Sequence, residues 1–205
     1  MSITSHWQQV YETKPVTEVS WFQDHADRSL SLIRESSVGP KASIIDVGGG
    51  ASTLVDDLLL QGFERVTVLD VADAALEEGK RRLGLSAARV AWIVGDITVV
   101  ALPESTYDFW HDRAVFHFLV DPSHRAAYVA AALRALRPSG YLMVATFADD
   151  GPTRCSGLPT MRYSGSQLHA EFGSSFQLIK QMREIHQAPS GTAQAFTYCL
   201  LRKGA

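Results

Sequence analysis

Short apolar runs alternate with stretches of helical period along most of this chain. The runs at 43–47 (SIIDV), 65–70 (RVTVLD), 89–94 (RVAWIV), 106–111 (TYDFWH) and 141–147 (YLMVATF) have the length and β-prone composition of buried strands. Between them the pattern predicts helices over 24–36, 52–61 and 74–83, and another opening at Asp121-Pro122. In the first helix Asp24 is the N-cap and Ala26, Leu30 and Ile33 share a face. Gly39-Pro40 stops it. Gly62 and Gly84 close the next two. Asp73 caps the third, whose Glu77/Arg81 and Glu78/Arg82 pairs mark a solvated face. Asp121 caps the fourth, with Pro122 at its first position. Its face Val129, Leu133 and Leu136 is expected on the sheet, with Arg125, Arg134 and Arg137 in water. Ser164-x-x-Gln167 is a capping box for a helix over 165–172. Two last strands, 176–182 and 195–202, form a hairpin around Pro189-Ser190-Gly191. Strand and helix in alternation predict an α/β sheet, mostly parallel, with helices on both faces.

Two stretches stand outside that pattern. The leader, 5–23, carries Trp7, Tyr11, Trp21 and Phe22 before the first strand. Trp7 and Tyr11 share a face if the segment is helical. The aromatics either anchor the leader to the core or form a flap that shields a site from water. The loop at 148–163 has four Gly or Pro residues and no apolar period. So long a loop in a compact domain is usually functional or disordered. It leaves the end of the fifth strand, which makes it an acceptor-side lid with Arg154 and Arg162 as candidate contacts or as solvated charges.

Composition narrows the class. The chain has 205 residues, 46% hydrophobic and 20% charged, with a formal net charge of −3. That suits one domain over 1–205, with residues 1–40 as an N-terminal helical cap. It gives no electrostatic case for nucleic acid or an anionic membrane. No apolar run approaches the roughly 20 residues that span a bilayer, and the first residues lack the layout of a signal peptide. Cys155 and Cys199 are the only cysteines, which fits a reducing, cytoplasmic setting and suggests no metal site.

The candidate chemistry lies at 43–53, SIIDVGGGAST, where a strand runs through a glycine turn into a helix. Ligands of open α/β sheets bind in the crevice at such strand ends. A dinucleotide fingerprint would place a third glycine where Thr53 stands. Asp46 also opposes a pyrophosphate, since like charges about 4 Å apart repel by roughly 4 kcal/mol at an effective dielectric of 20. A cationic ligand suits that acid. Asp70, ending the second strand twenty residues after Gly50, can accept from both ribose hydroxyls. Its alternative role is to cap the next turn.

Asp46-x-Gly48-x-Gly50 resembles motif I of the class I S-adenosylmethionine-dependent methyltransferases. The aromatic-Asp-apolar strand Tyr107-Asp108-Phe109 resembles their motif IV, and the Arg137-Pro138-x-Gly140 turn before an apolar strand is also similar to that family. The resemblance implies a seven-stranded Rossmann-like sheet with an antiparallel last strand. It implies methyl transfer from S-adenosylmethionine, with S-adenosylhomocysteine as product. Asp46, Gly48, Gly49 and Gly50 then hold the amino acid end, and Asp70 with Val71 the ribose. Asp96 and Ile97 hold the adenine, and Asp112 lies by the methionine amino group. Trp7-x3-Tyr11 with Ser20-Trp21-Phe22 is similar to the leader of a subgroup that includes lysine methyltransferases of elongation factor 1A and citrate synthase. That adds Trp21 as a cofactor contact. The hairpin stretch His186-x-x-Pro189-x-Gly191-x-x-Gln194-x-Phe196 resembles the same subgroup and has no assigned chemistry. His117 is a candidate general base or a packed histidine. Arg113 is a candidate at the acceptor or a partner of Asp112. No catalytic residue is assigned, because positioning and desolvation can drive the transfer. The acceptor is expected to be a small molecule or, alternatively, a protein lysine. A non-catalytic adenosylmethionine-binding module and an NAD-dependent oxidoreductase are the rivals outside the class.

Overall fold

The computed structural model describes residues 2–205. Helix α1 (Ile3–Thr13) and α2 (Asp27–Glu35) precede β1 (Ser43–Val47), α3 (Leu54–Leu60), β2 (Arg65–Asp70), α4 (Asp73–Leu83), β3 (Val90–Val94) and β4 (Tyr107–Arg113). Then come α5 (Pro122–Ala135), β5 (Leu136–Phe147), a two-stranded ribbon of β6 (Arg154–Cys155) and β7 (Leu158–Pro159), α6 (Gly165–Phe172), β8 (Phe176–Gln187) and β9 (Ala193–Lys203). The main sheet has seven strands in the order β3-β2-β1-β4-β5-β9-β8. β1 to β5 pair parallel, and β9 is antiparallel to both β5 and β8. This is the Rossmann-like architecture expected above, with its reversed last strand.

β1 is buried along its whole length, as a central parallel strand covered on both faces must be. Its Ile44 packs with Leu30, Ile33, Leu58 and Val68 on one side of the sheet. Ile45 and Val47 pack with Trp110, Tyr128, Ala132 and Leu142 on the other. Strand order reverses direction between β1 and β4, and such a switch point opens a crevice at the carboxyl ends of the strands.

Several local expectations shift. α2 begins at Asp27 behind Ala26, so Asp24 does not cap it, although Ala26, Leu30 and Ile33 are buried as the period requires. Asp73 is the first residue of α4 and not its cap. The surface pairs of α4 are Glu77–Lys80 and Glu78–Arg81 at i,i+3, whereas Arg82 turns inward. α5 buries Tyr128, Ala131, Ala132 and Ala135, because small residues let it lie close to the sheet. Val129 and Leu133 are half-buried at the side. Arg125 pairs with Glu171, and Arg137 with Asp108, so only Arg134 remains in water. β5 starts at Leu136, five residues early, and passes Ser139 (φ +62°) at an irregular register before Tyr141.

Candidate active site

The glycine turn after β1 is shaped by close approach. Gly48 takes φ +68°, and a Cβ there would lie 2.0 Å from Val115 Cγ2. Gly50 takes φ +35°, and a Cβ would lie 2.6 Å from Asp70 Oδ2 and 2.9 Å from Ala75 Cβ. Only glycine lets the turn sit between Val115 and Asp70. The amides of Gly48 and Gly49 both donate to the Leu69 carbonyl, at 2.7 and 3.2 Å. These two amides are therefore not offered to a diphosphate. Arg82 Nη1 and Nη2 donate to the Ala51 and Ser52 carbonyls at 2.7 Å each, while its guanidinium also pairs with Asp56. Arg82 thus clamps the loop that a solvated surface charge would leave loose.

Asp46 is 2% exposed. Its Oδ1 lies 2.6 Å from His111 Nδ1, and His111 Nε2 lies 2.8 Å from Ser29 Oγ. The connectivity is that of a hydrolytic triad, but Ser29 is 1% exposed on the buried face of α2, out of reach of a substrate. The chain works as a strut joining α2, β4 and β1. Asp46 Oδ2 is buried with no partner in the protein. Nothing in the pattern around His111 set it apart from an ordinary strand residue, so sequence reasoning missed it.

Trp21, Gly48, Asp70, Val71, Asp96 and Ile97 line one cavity of about 250 Å³. Asp46 and Gly49 face a smaller adjoining space of about 50 Å³, which Trp21, Tyr11 and Gly48 also line. Gly50 borders neither space; it lets Asp70 and α4 close in. Asp70 Oδ1 accepts from the Ala72 amide at 2.9 Å, so the turn-capping role is real and occupies one oxygen. Burial, with a smaller contribution from Asp46, pushes the Asp70 carboxyl up to about 7. Asp96 Oδ1 accepts from the Thr98 amide and hydroxyl at 2.8 and 2.7 Å.

Asp112 is the exception. It is fully buried and off the cavity wall. Oδ1 accepts from the Val115 amide at 2.8 Å, and Oδ2 from the Phe116 amide at 3.1 Å and the Tyr128 hydroxyl at 2.6 Å. This carboxylate holds the turn that carries Val115 and His117. Asp108 is likewise structural, bound to the Ser43 amide and Arg137.

Beyond β4 the cavity is lined by Arg113, His117, Phe147, Cys155, Gln194 and Phe196. The leader covers it: Trp7 meets Trp21 and Phe118 edge-on at 5.4 and 5.1 Å, and Trp21 Nε1 donates to the Tyr11 hydroxyl at 3.2 Å. Anchoring and shielding are thus one arrangement. The loop at 148–163 is an ordered ribbon that delivers Cys155, while Arg154 and Arg162 lie exposed and off the wall. His117 Nδ1 accepts from the Phe147 amide at 3.2 Å. That places the ring proton on Nε2, and burial followed by the charge of Arg113 holds the ring down at about 3. His117 is consequently a neutral donor and not a base.

Residues 44–140 match the family described as "Methyltransferase domain". Residues 44–140, just under half of the chain, are thus similar to methyltransferase domains. Outside the match, α1 with Trp21 and the β9 residues Gln194 and Phe196 add further walls of the cavity. The chain is 37% identical over 109 residues to ubiquinone/menaquinone biosynthesis C-methyltransferase UbiE of Paracoccus denitrificans, covering 51% of this chain and 42% of that protein. It is 22% identical over 193 residues to human EEF1A lysine methyltransferase 2, covering 86% of this chain and 75% of that one. It superposes with TM-score 0.73 on Burkholderia thailandensis 1,6-didemethyltoxoflavin-N1-methyltransferase, solved with 1,6-didemethyltoxoflavin and S-adenosylhomocysteine. That pair is 18% identical, over 99% of this chain and 88% of the other. The chain spans about half the length of several curated relatives it matches, 48% for Nodulation protein S of Rhizobium tropici.

Proposed function

We propose that this protein transfers a methyl group from S-adenosylmethionine to a small-molecule acceptor. The observation that carries the reading is the pairing of acids with spent amides. Asp46, Asp70 and Asp96 stand near three neighbouring strand ends around a glycine turn whose first two N–H groups already serve Leu69. Such a donor-poor, acid-rich rim fits a ligand with hydroxyls, an amine and a sulfonium, and opposes phosphates. Asp70 Oδ2, at Gly50, accepts from the ribose. Asp96 and Ile97 bracket the base, with Val71 beside them. Asp46, Gly48 and Gly49 line the space for the amino acid end, and Trp21 closes over both. Bound S-adenosylmethionine supplies an already activated methyl group.

The remaining work falls to the chain. It orients the acceptor against the donor and excludes water with Trp7, Trp21 and Phe118. No helix among the described residues is long and apolar enough to cross a membrane, and action on a cytoplasmic metabolite, without nucleic acid, is the accompanying proposal. The human relative's name supports a lysine acceptor as second reading. Arg113 on the acceptor-side wall speaks against an ammonium there. Incubation with tritiated methyl donor and lysate, split into small-molecule and protein fractions, tests the proposal. Label is expected in the small-molecule fraction. Label in protein would favour the second reading, and label in neither would overturn transfer.

A further inference from the structure

Two side-chain nitrogens, on residues that line one part of the cavity, lack partners within the protein. Arg113 Nη2 and His117 Nε2 are both buried without a hydrogen bond, and both residues line the cavity. Neither can swing away to find one. Arg113 Nε donates to the Tyr198 hydroxyl at 3.0 Å, Nη1 to the Trp21 carbonyl at 3.0 Å, and the guanidinium lies 4.8 Å from the Phe196 ring centre. His117 is fully buried, tied to the Phe147 amide, with its ring 4.5 Å from those of Phe118 and Phe147. Unmatched buried donors are costly and call for an explanation, the more so when charged.

Both groups are donors, because His117 Nδ1 is already an acceptor. The carboxylates on the wall of the larger cavity among the described residues are Asp70 and Asp96, across β1 from this corner, and Asp46 lines the smaller adjoining space that Arg113 also borders. Glu184 reaches Arg113 only through the Tyr198 hydroxyl, which donates to it at 2.7 Å. The flat apolar part of the surroundings is Phe118, Phe147 and Phe196, with Cys155 and Gln194 beside them.

We propose that this corner is the acceptor subsite and takes a flat, apolar molecule bearing an anionic oxygen, gripped between Arg113 Nη2 and His117 Nε2. The proposal rests on the methyltransferase reading and names the acceptor class within it. A carboxylate, phenolate or enolate oxygen would satisfy both donors at once, one of them with charge assistance. An ammonium would meet like charge and leave both unmatched.

Calorimetric titration of the full chain with 1-naphthoate, 1-naphthamide and 1-naphthylmethylamine tests this, each with and without S-adenosylhomocysteine. Naphthoate is expected to bind tenfold or more tightly than the amide, with the amine weakest. Arg113→Met should bring naphthoate within about threefold of the amide. Arg113→Lys keeps the charge but not the fork, and should retain a reduced preference; it serves if the methionine variant fails to fold. Equal or tighter binding of the amine, binding of none of the three, or an unchanged preference in Arg113→Met would overturn the proposal. Naphthoate preference without any binding of S-adenosylhomocysteine would support the subsite and overturn the cofactor reading instead.

Discussion

His111 Nδ1 lies 2.6 Å from Asp46 Oδ1, and both side chains are 3% exposed. Each is in the interior only because the other is there. Asp46 is the last residue but one of the central strand and stands in register with His111 on β4, so the pair fixes the acid that faces the smaller space beside the glycine turn. Replacing His111 with Phe would leave a buried carboxylate without its partner, at a cost of about 2–4 kcal/mol. Ser29→Ala should cost about 1 kcal/mol. Urea denaturation checks both. A change under about 0.5 kcal/mol for His111→Phe would show the strut to be unimportant.

The contact between Gly48 and Val115 gives a second expectation. Gly48→Ala places a methyl 2.0 Å from Val115 Cγ2 and at φ +68°, so cofactor affinity should fall at least tenfold. Adding Val115→Ala removes the collision but not the positive φ. The double variant should therefore recover part of the affinity and not all of it. Calorimetry with S-adenosylhomocysteine distinguishes the three proteins, and full activity in Gly48→Ala would contradict the geometry.

How much of this could be read beforehand follows from the range of each interaction. β1, the Gly48–Gly50 turn, Asp70 and the Ser164–Gln167 box are written within a few neighbouring residues, and the strand run, the acid spacing and the cap appear where expected. Ser29, His111 and Asp46 are joined only by the fold, across 65 and 82 residues, and no local period marks them. Asp112 shows a related limit. Its position at a strand end is visible in sequence, but its service to Val115, Phe116 and Tyr128 depends on how the chain turns afterwards. Arg82 looked like one of several helix charges until the loop it holds was in place. Gln194 and Phe196 stood out in the hairpin, and only the sheet order brings them to the cavity.

Asp112→Ala should behave as a stability variant. Losing three hydrogen bonds to a buried carboxylate and leaving two amides and the Tyr128 hydroxyl unmatched should cost about 3 kcal/mol or more. Thermal melts would register the loss. If the melt were unchanged while cofactor affinity collapsed, Asp112 would be a ligand contact after all.

Asp70 carries a pH dependence of defined sign. Its carboxyl titrates near 7 in the folded chain, against about 4 unfolded. The folded state therefore holds the extra proton between those values. From this group alone, stability is greatest below about pH 4 and declines as pH rises to about 7. Asp70→Asn removes that decline and keeps an acceptor for the Ala72 amide. The variant should be more stable than the wild type at pH 8, by up to about 4 kcal/mol, with the gap closing toward pH 4. Denaturation across pH would check this, and a gap that widens on acidification would contradict it.

Recognition of the ribose by Asp70 is the most direct test of the whole account. Calorimetric titration of S-adenosylhomocysteine at pH 8 should give saturable one-to-one binding in the wild type, weakened at least tenfold in Asp70→Ala, with NADH giving no saturation. Saturation by NADH, or equal affinity of S-adenosylhomocysteine for the two proteins, would contradict the account.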